Sequence, residues 1–290
     1  MEVLFTLSAA SLLIHRARRN QSPIKLSRSD RWKNIYTKKG QLADDNTPLH
    51  VLGGYDKFSM QQWLDQISIL CGTIGNKDYR RGQSLKMEER WIGPSSTFDR
   101  NLKILPTEKV FEVGSGGGAF IDALQRIFGD FDMNGIDYCQ SLVDQASSRL
   151  PHGTFAQGDA RDLTNVSFAT NSTYDVCISF GVTQYLNDLQ DVEKKFCEML
   201  RITKTGGRVV CCEVSDSARK HVADAIRAKA YANVKKVSTD APTHLYIPKT
   251  FWSDLCMKYN AKLIGIVDHR DIGLNYATAP YRYSVFCVKQ

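Results

Sequence analysis

The sequence contains no Cys-x-x-Cys pair, no apolar stretch as long as a bilayer is thick and, past its first forty residues, no excess of either charge. Each absence removes a class of protein. The eight cysteines (71, 139, 177, 197, 211, 212, 256 and 287) show no metal-ligand spacing, so no metal site is expected. Several sit inside apolar runs such as "DVCISF" and "RVVCCEV", which reads as buried, unpaired thiols in a reducing compartment. Of the 38 basic and 31 acidic residues, the first forty positions hold nine Lys/Arg against Glu2 and Asp30. The other 250 residues therefore balance, with no basic stripe to follow a phosphate backbone, and no nucleic-acid partner is expected.

What is present begins with a leader. "VLFTLSAASLLI" is a 12-residue apolar run followed by "HRARR". A spanning helix needs about 20 apolar residues, and a secretory signal carries its basic residues ahead of the apolar core, not behind it. The Arg- and Ser-rich, acid-poor composition is that of a mitochondrial transit segment, although Glu2 and the unbroken apolar run fit it poorly. A peripheral helix on a cytoplasmic globule is the first reading, with mitochondrial targeting or membrane association through this leader as the alternative, and membrane contact, if any, falls to residues 1–19. Residues 1–29, with the Ser/Lys/Arg stretch around Pro23, read as leader and linker. Residues 30–104 form an N-terminal extension with helical periodicity in "SMQQWLDQISILCG" and suit a substrate cover. Residues 105–290 are the main domain.

In that domain strands and helices alternate: "KVFEVG", "AFIDALQRIFG", "FDMNGID", "QSLVDQASSRL", "GTFAQGD", "YDVCISFG", "LQDVEKKFCEMLRIT", "GGRVVCCEV", "SARKHVADAIRAKAY". The alternation specifies a doubly wound, mainly parallel α/β sheet with helices on both faces. "AKLIGIVDH" and "YRYSVFCVK" have no helical pattern between them and should pair as an antiparallel edge hairpin, for seven strands in all.

The glycines of "VFEVGSGGGAF" fall at the first strand-to-helix turn, where such sheets bind nucleotide-like ligands. Gly114, Gly116 and Ala119 match G-x-G-x-x-G/A, a pattern open to NAD, FAD and S-adenosylmethionine (SAM) alike. Glu112, two residues earlier, suits a cationic amino-acid head and is awkward beside a pyrophosphate. Asp137 ends the second strand, where a carboxylate accepts ribose hydroxyls, and Asp159 with the Ala160 backbone follows the third. "VFEVGSGGGAF", "GIDYCQSLVDQA", "FAQGDARDL" and "YDVCISFGVTQYL", in that order, resemble the successive motifs of the class I SAM-dependent methyltransferases over about residues 105 to 215.

The resemblance implies that Gly114, Ser115, Gly116 and Gly118 turn beneath the methionine part of SAM and that Glu112 orients its ammonium. It implies that Asp137 holds the ribose, with Tyr138 against the adenine and Asp159 and Ala160 at the adenine edge. The Phe180–Gly181 backbone then approaches the ammonium. Methyl transfer from a sulfonium depends mainly on alignment and exclusion of water, so no obligatory catalytic motif is expected. The segment after the fourth strand lacks the N/D-P-P-Y arrangement of the amino-group nucleic-acid enzymes, and Thr183, Gln184 and Tyr185 stand where many small-molecule relatives have a histidine. His244, Tyr185 and Gln184 are the catalytic candidates, with His50 and His269 behind them; Trp32, Tyr36 and the "GGYDKF" turn suit the opposite wall. The expected activity is methylation of O, N or S on a small molecule. A nicotinamide-dependent oxidoreductase, a non-catalytic SAM-fold subunit that binds a partner protein and an aminopropyl transferase are the rival readings.

Overall fold

The computed structural model describes residues 26–44, 46–72, 102–231 and 243–290. The expectations for the leader, over 1–25, lie outside the described residues. Among the described residues three helices precede the sheet: α1 (Arg28–Leu42), α2 (Leu49–Leu52) and α3 (Met60–Leu70). Ser27 caps α1 by accepting from the Asp30 N–H, and α3 opens with a reciprocal Ser59/Gln62 capping box. Helix α1 therefore starts inside the stretch expected to be linker.

The main domain runs β1 (Lys109–Val113), α4 (Ala119–Phe128), β2 (Asp132–Asp137), α5 (Gln140–Arg149), β3 (Thr154–Gln157), β4 (Tyr174–Phe180), α6 (Leu189–Ile202), β5 (Thr203–Ser215), α7 (Lys220–Tyr231), α8 (Thr250–Lys258), β6 (Ala261–Asp268) and β7 (Arg282–Lys289). The seven strands form one sheet in the order β3-β2-β1-β4-β5-β7-β6. β7 pairs antiparallel with both β5 and β6, so six strands point one way and β7 the other. The C-terminal pair is thus the antiparallel hairpin expected, with β7 tucked inside and β6 at the edge.

The central strands are buried on both faces, and their alternate residues feed two cores. Val110, Val176, Ile178 and Val210 pack towards α3 and α4, while Phe111, Val113, Cys177 and Val209 pack towards α6 and α8. This explains the near-continuous apolar runs in the sequence. Sheet order reverses between β1 and β4, and the carboxyl ends of the strands flanking that point are where this architecture leaves a crevice. Among the described residues no helix is long and apolar enough to cross a membrane, and no group of three His, Cys, Asp or Glu side chains is placed to hold a metal.

Candidate functional site

A cavity of about 340 Å³ lies over the carboxyl ends of β1, β2, β4 and β5 and is roofed by Ser29, Trp32, Lys33 and Tyr36 of α1. Its size falls within the range of about 300–1,000 Å³ usual for small-molecule sites. Every cofactor residue expected from the sequence lines it except Gly118, which lies just behind, at the head of α4.

The floor is the turn after β1. Gly114 has φ +80°, and a Cβ there would sit 2.2 Å from Val182 Cγ2, so both the backbone and the close approach of β4's loop demand glycine. Gly116 has φ +54° and nothing within 4 Å of where its Cβ would be; the empty space is the cavity itself. The Gly114 and Ser115 N–H groups both donate to the Ile136 carbonyl at 2.8 Å, tying this turn to β2. Glu112 is buried beside the turn, and neither its Oε2 nor Ser115 Oγ has a hydrogen-bond partner. Burial holds the Glu112 carboxyl well above its ordinary range, the nearby Asp137 adds to this, and a backbone hydrogen bond from Ile121 at the start of α4 opposes it.

Asp137 ends β2 with both oxygens already oriented. Oδ2 accepts from Gly116 N at 2.9 Å and Oδ1 from Cys139 N at 2.8 Å. Burial raises its pKa, and those two amides work against the rise. Tyr138 carries the Lys33 ammonium 3.9 Å from its ring centroid and donates its hydroxyl to Asp30 Oδ1 at 3.3 Å. Asp159 is held by Arg161, whose Nη2 lies 2.6 Å from Oδ2 and whose Nη1 reaches Asp191 at 3.0 Å. Ala160 is buried at the same wall.

The opposite wall follows β4. Phe180 stacks on Phe120 with centroids 4.3 Å apart, and the Gly181 carbonyl accepts from Gln184 Nε2 at 2.7 Å. Gln184 Oε1 is left buried and unpaired. The Tyr185 and Tyr36 hydroxyls share a 2.6 Å hydrogen bond, and Trp32 packs against both Tyr185 and His244, at 4.7 and 5.1 Å. Burial, followed by the charge of Arg282, pushes the His244 pKa down to about 3, so the ring is uncharged and offers a neutral nitrogen to the cavity. The other two histidines are elsewhere. His50 Nε2 pairs with the Phe58 carbonyl at 2.8 Å, and His269 is wholly buried behind β7 and β5. The aromatic stretch "HLYIPKTFW" divides: His244 lines the cavity, while Trp252, on α8, is buried in the far core and donates to the Tyr283 hydroxyl at 2.8 Å.

Tyr55 of the "GGYDKF" turn lines the cavity as well, and sequence reasoning missed Glu213, Thr278 and Arg282, which also line it. Glu213 stands in a bulge of β5, between Cys211 and Val214, with φ +63°, a left-handed conformation for a non-glycine residue that costs about 1–3 kcal/mol. It is only 3% exposed. The available signal was a lone acid inside the strand run "RVVCCEV"; only the bulge, which turns it towards the crevice, shows where it goes.

Residues 111–211 match the family described as "Methyltransferase domain". The matched span contains the glycine turn, Asp137, Asp159 and the β4 wall in the order the fold requires.

Over residues 111–211 the chain carries a methyltransferase domain.

This methyltransferase domain is 33% identical over 111 residues to a demethylmenaquinone methyltransferase of Renibacterium salmoninarum, covering 38% of this chain and 43% of that one. It is 32% identical over 132 residues to the enzyme of the same description from Beutenbergia cavernae, covering 46% and 50%. The chain spans about half the length of the curated relatives it matches. Among solved structures, geranyl diphosphate C-methyltransferase from Streptomyces coelicolor superposes with a TM-score of 0.47 at 14% identity, over 65% of this chain and 75% of that one.

Proposed function

We propose that the chain transfers the methyl group of SAM to a small, largely apolar acceptor held in the same cavity. The observation that carries this reading is Glu112, whose buried Oε2 has no partner at the edge of a glycine turn with open space above Gly116. Burying a carboxyl in that way is costly unless a ligand completes it, and an ammonium group is the complement that a carboxylate there fits. SAM supplies an electrophilic methyl group on a positively charged sulfur. Asp137, its oxygens aimed by two backbone amides, would hold the ribose, with Tyr138, Asp159 and Ala160 at the adenine end. Trp32, Tyr36, Tyr185 and His244 present aromatic faces that suit a cationic ligand. Helix α1 closes the roof and excludes water, so the side chains mainly align the two reactants.

A roofed cavity suits a small acceptor rather than a polymer. The relatives named for demethylmenaquinone make a flat, apolar ring the first acceptor class to screen. The eight free thiols fit a cytoplasmic protein. Titration calorimetry of the full chain with SAM, alongside NAD and NADP, tests the reading. Micromolar SAM binding is expected, weakened by about 1.5–3 kcal/mol in Asp137→Ala as a charge-assisted hydrogen bond is lost. Heat from a nicotinamide and none from SAM would replace it with the oxidoreductase reading; equal SAM affinity in the variant would remove Asp137 from the site.

A further inference from the structure

Strand β5 and its neighbour β7 line the cavity with polar groups outside the cofactor set expected from the sequence, Glu213 and Arg282. Glu213 Oε1 accepts from the Tyr276 hydroxyl and lies 2.9 Å from His269 Nδ1, which also contacts Tyr276. His269 Nε2 lies 2.7 Å from Ser284 Oγ. With Ser284 donating to Nε2, the ring proton sits on Nδ1, and the chain Ser284–His269–Tyr276 ends on Oε1 of Glu213; this tautomer is assigned from the network. Oε2 accepts no hydrogen bond among the described residues. Its nearest cation is Arg282 Nε, at 3.8 Å, beyond hydrogen-bond reach. Arg282 is fixed elsewhere, donating from Nη1 to the Glu213 carbonyl at 2.9 Å and to Ser215 Oγ, and its own Nε is buried and unpaired. Gln184 Oε1 and His244 Nδ1, lining the same cavity, are also buried without partners. One carboxylate oxygen is thus held by hydrogen bonds while the other has only the 3.8 Å ion pair with Arg282, in a cavity walled by the rings of Tyr55, Trp63 and Phe180.

We propose that Glu213 is a catalytic residue that takes the proton of an aromatic hydroxyl acceptor; this rests on the methyl-transfer reading. In the step, the acceptor O–H bond breaks and the proton goes to Glu213 Oε2. The electron pair stays on the acceptor, which is thereby made nucleophilic towards the SAM methyl group. Tyr276 and His269 are positioning residues that fix Oε1. Arg282 offsets the charge without sharing the proton.

The test uses the full chain, wild type and Glu213→Gln, with two probe acceptors: 1,4-naphthohydroquinone, which must lose a proton, and thiophenol, already a thiolate at pH 8. Calorimetry with SAM is run on both proteins. Glu213→Gln should keep its SAM affinity within about twofold and lose about 10²–10⁴-fold in kcat on the hydroquinone, as for a missing general base, with less than about a threefold change on the thiolate. If Glu213→Gln does not fold, Glu213→Asp, which tolerates the left-handed backbone, should keep SAM affinity and show a smaller selective loss. Equal losses on both probes, unchanged hydroquinone turnover, or a SAM-binding wild type that turns over neither probe would each overturn the assignment. Absent SAM binding by the wild type would instead overturn the methyl-transfer reading itself.

Discussion

A carboxyl buried as completely as that of Glu112, 1% exposed, keeps its proton past the ordinary glutamate value of 4.5, because the charged form finds little solvation and faces Asp137. The folded chain therefore binds this proton more tightly than the unfolded chain. The stability it lends is fully present below 4.5 and is lost as pH rises through the higher folded value. Glu112→Gln is neutral at every pH and escapes that loss. The ligand-free variant should gain in Tm over wild type as pH climbs from 4.5 to 8, by about 2–4 °C for each kcal/mol recovered, and lose at least about tenfold in SAM affinity. Thermal melts across that range decide it: a variant less stable at pH 8 would show that Glu112 is ionised and structurally paired. The carboxylates at 112, 137 and 159 were legible because each lies at or just past the end of a strand in the regular strand-helix alternation. Glu213 was not, because a bulge breaks the alternation that assigns a strand residue to a face.

Helix α1 is latched to both rims of the crevice. Arg28 donates to the Leu186 and Asn187 carbonyls, Ser29 Oγ to the Tyr185 carbonyl at 3.1 Å, and Ser141 Oγ on α5 to the Thr37 carbonyl at 3.0 Å. If α1 is the roof that holds the ligand, Arg28→Ala should raise the SAM dissociation rate about three- to tenfold with little change in association, as is usual when an interface is weakened. Stopped-flow displacement measures this, and an unchanged off-rate would show that α1 bears on the cavity only as packing. Ser27 caps its start, inside the stretch read from the sequence as linker. The helix's docking partners lie 104 to 159 residues further on, and no local pattern connects them.

Across the whole molecule the sheet separates two cores; the one under α3 and α4 meets the cavity at Leu52, Trp63, Ala119, Phe120 and Phe180, the other at Ile136, Ala160 and Leu186. Trp252 lies in the other, with no exposed surface and its Nε1–H donated to Tyr283. Trp252→Ala should cost about 3–5 kcal/mol in denaturant unfolding through the cavity it leaves, with SAM affinity unchanged at temperatures where the variant is folded. A matching fall in affinity would mean that the two faces are coupled through β5. By itself the sequence determined the strand-helix alternation, the parallel sheet and the glycine turn with its three carboxylates, because hydrophobic period, backbone φ and the ends of strands are local properties. Only the tertiary structure decided that β7 sits inside β6, that α1 roofs the crevice and that Glu213 and Arg282 meet in its wall. Those depend on which distant segments share a surface, and burial energy settles that once the whole chain is packed.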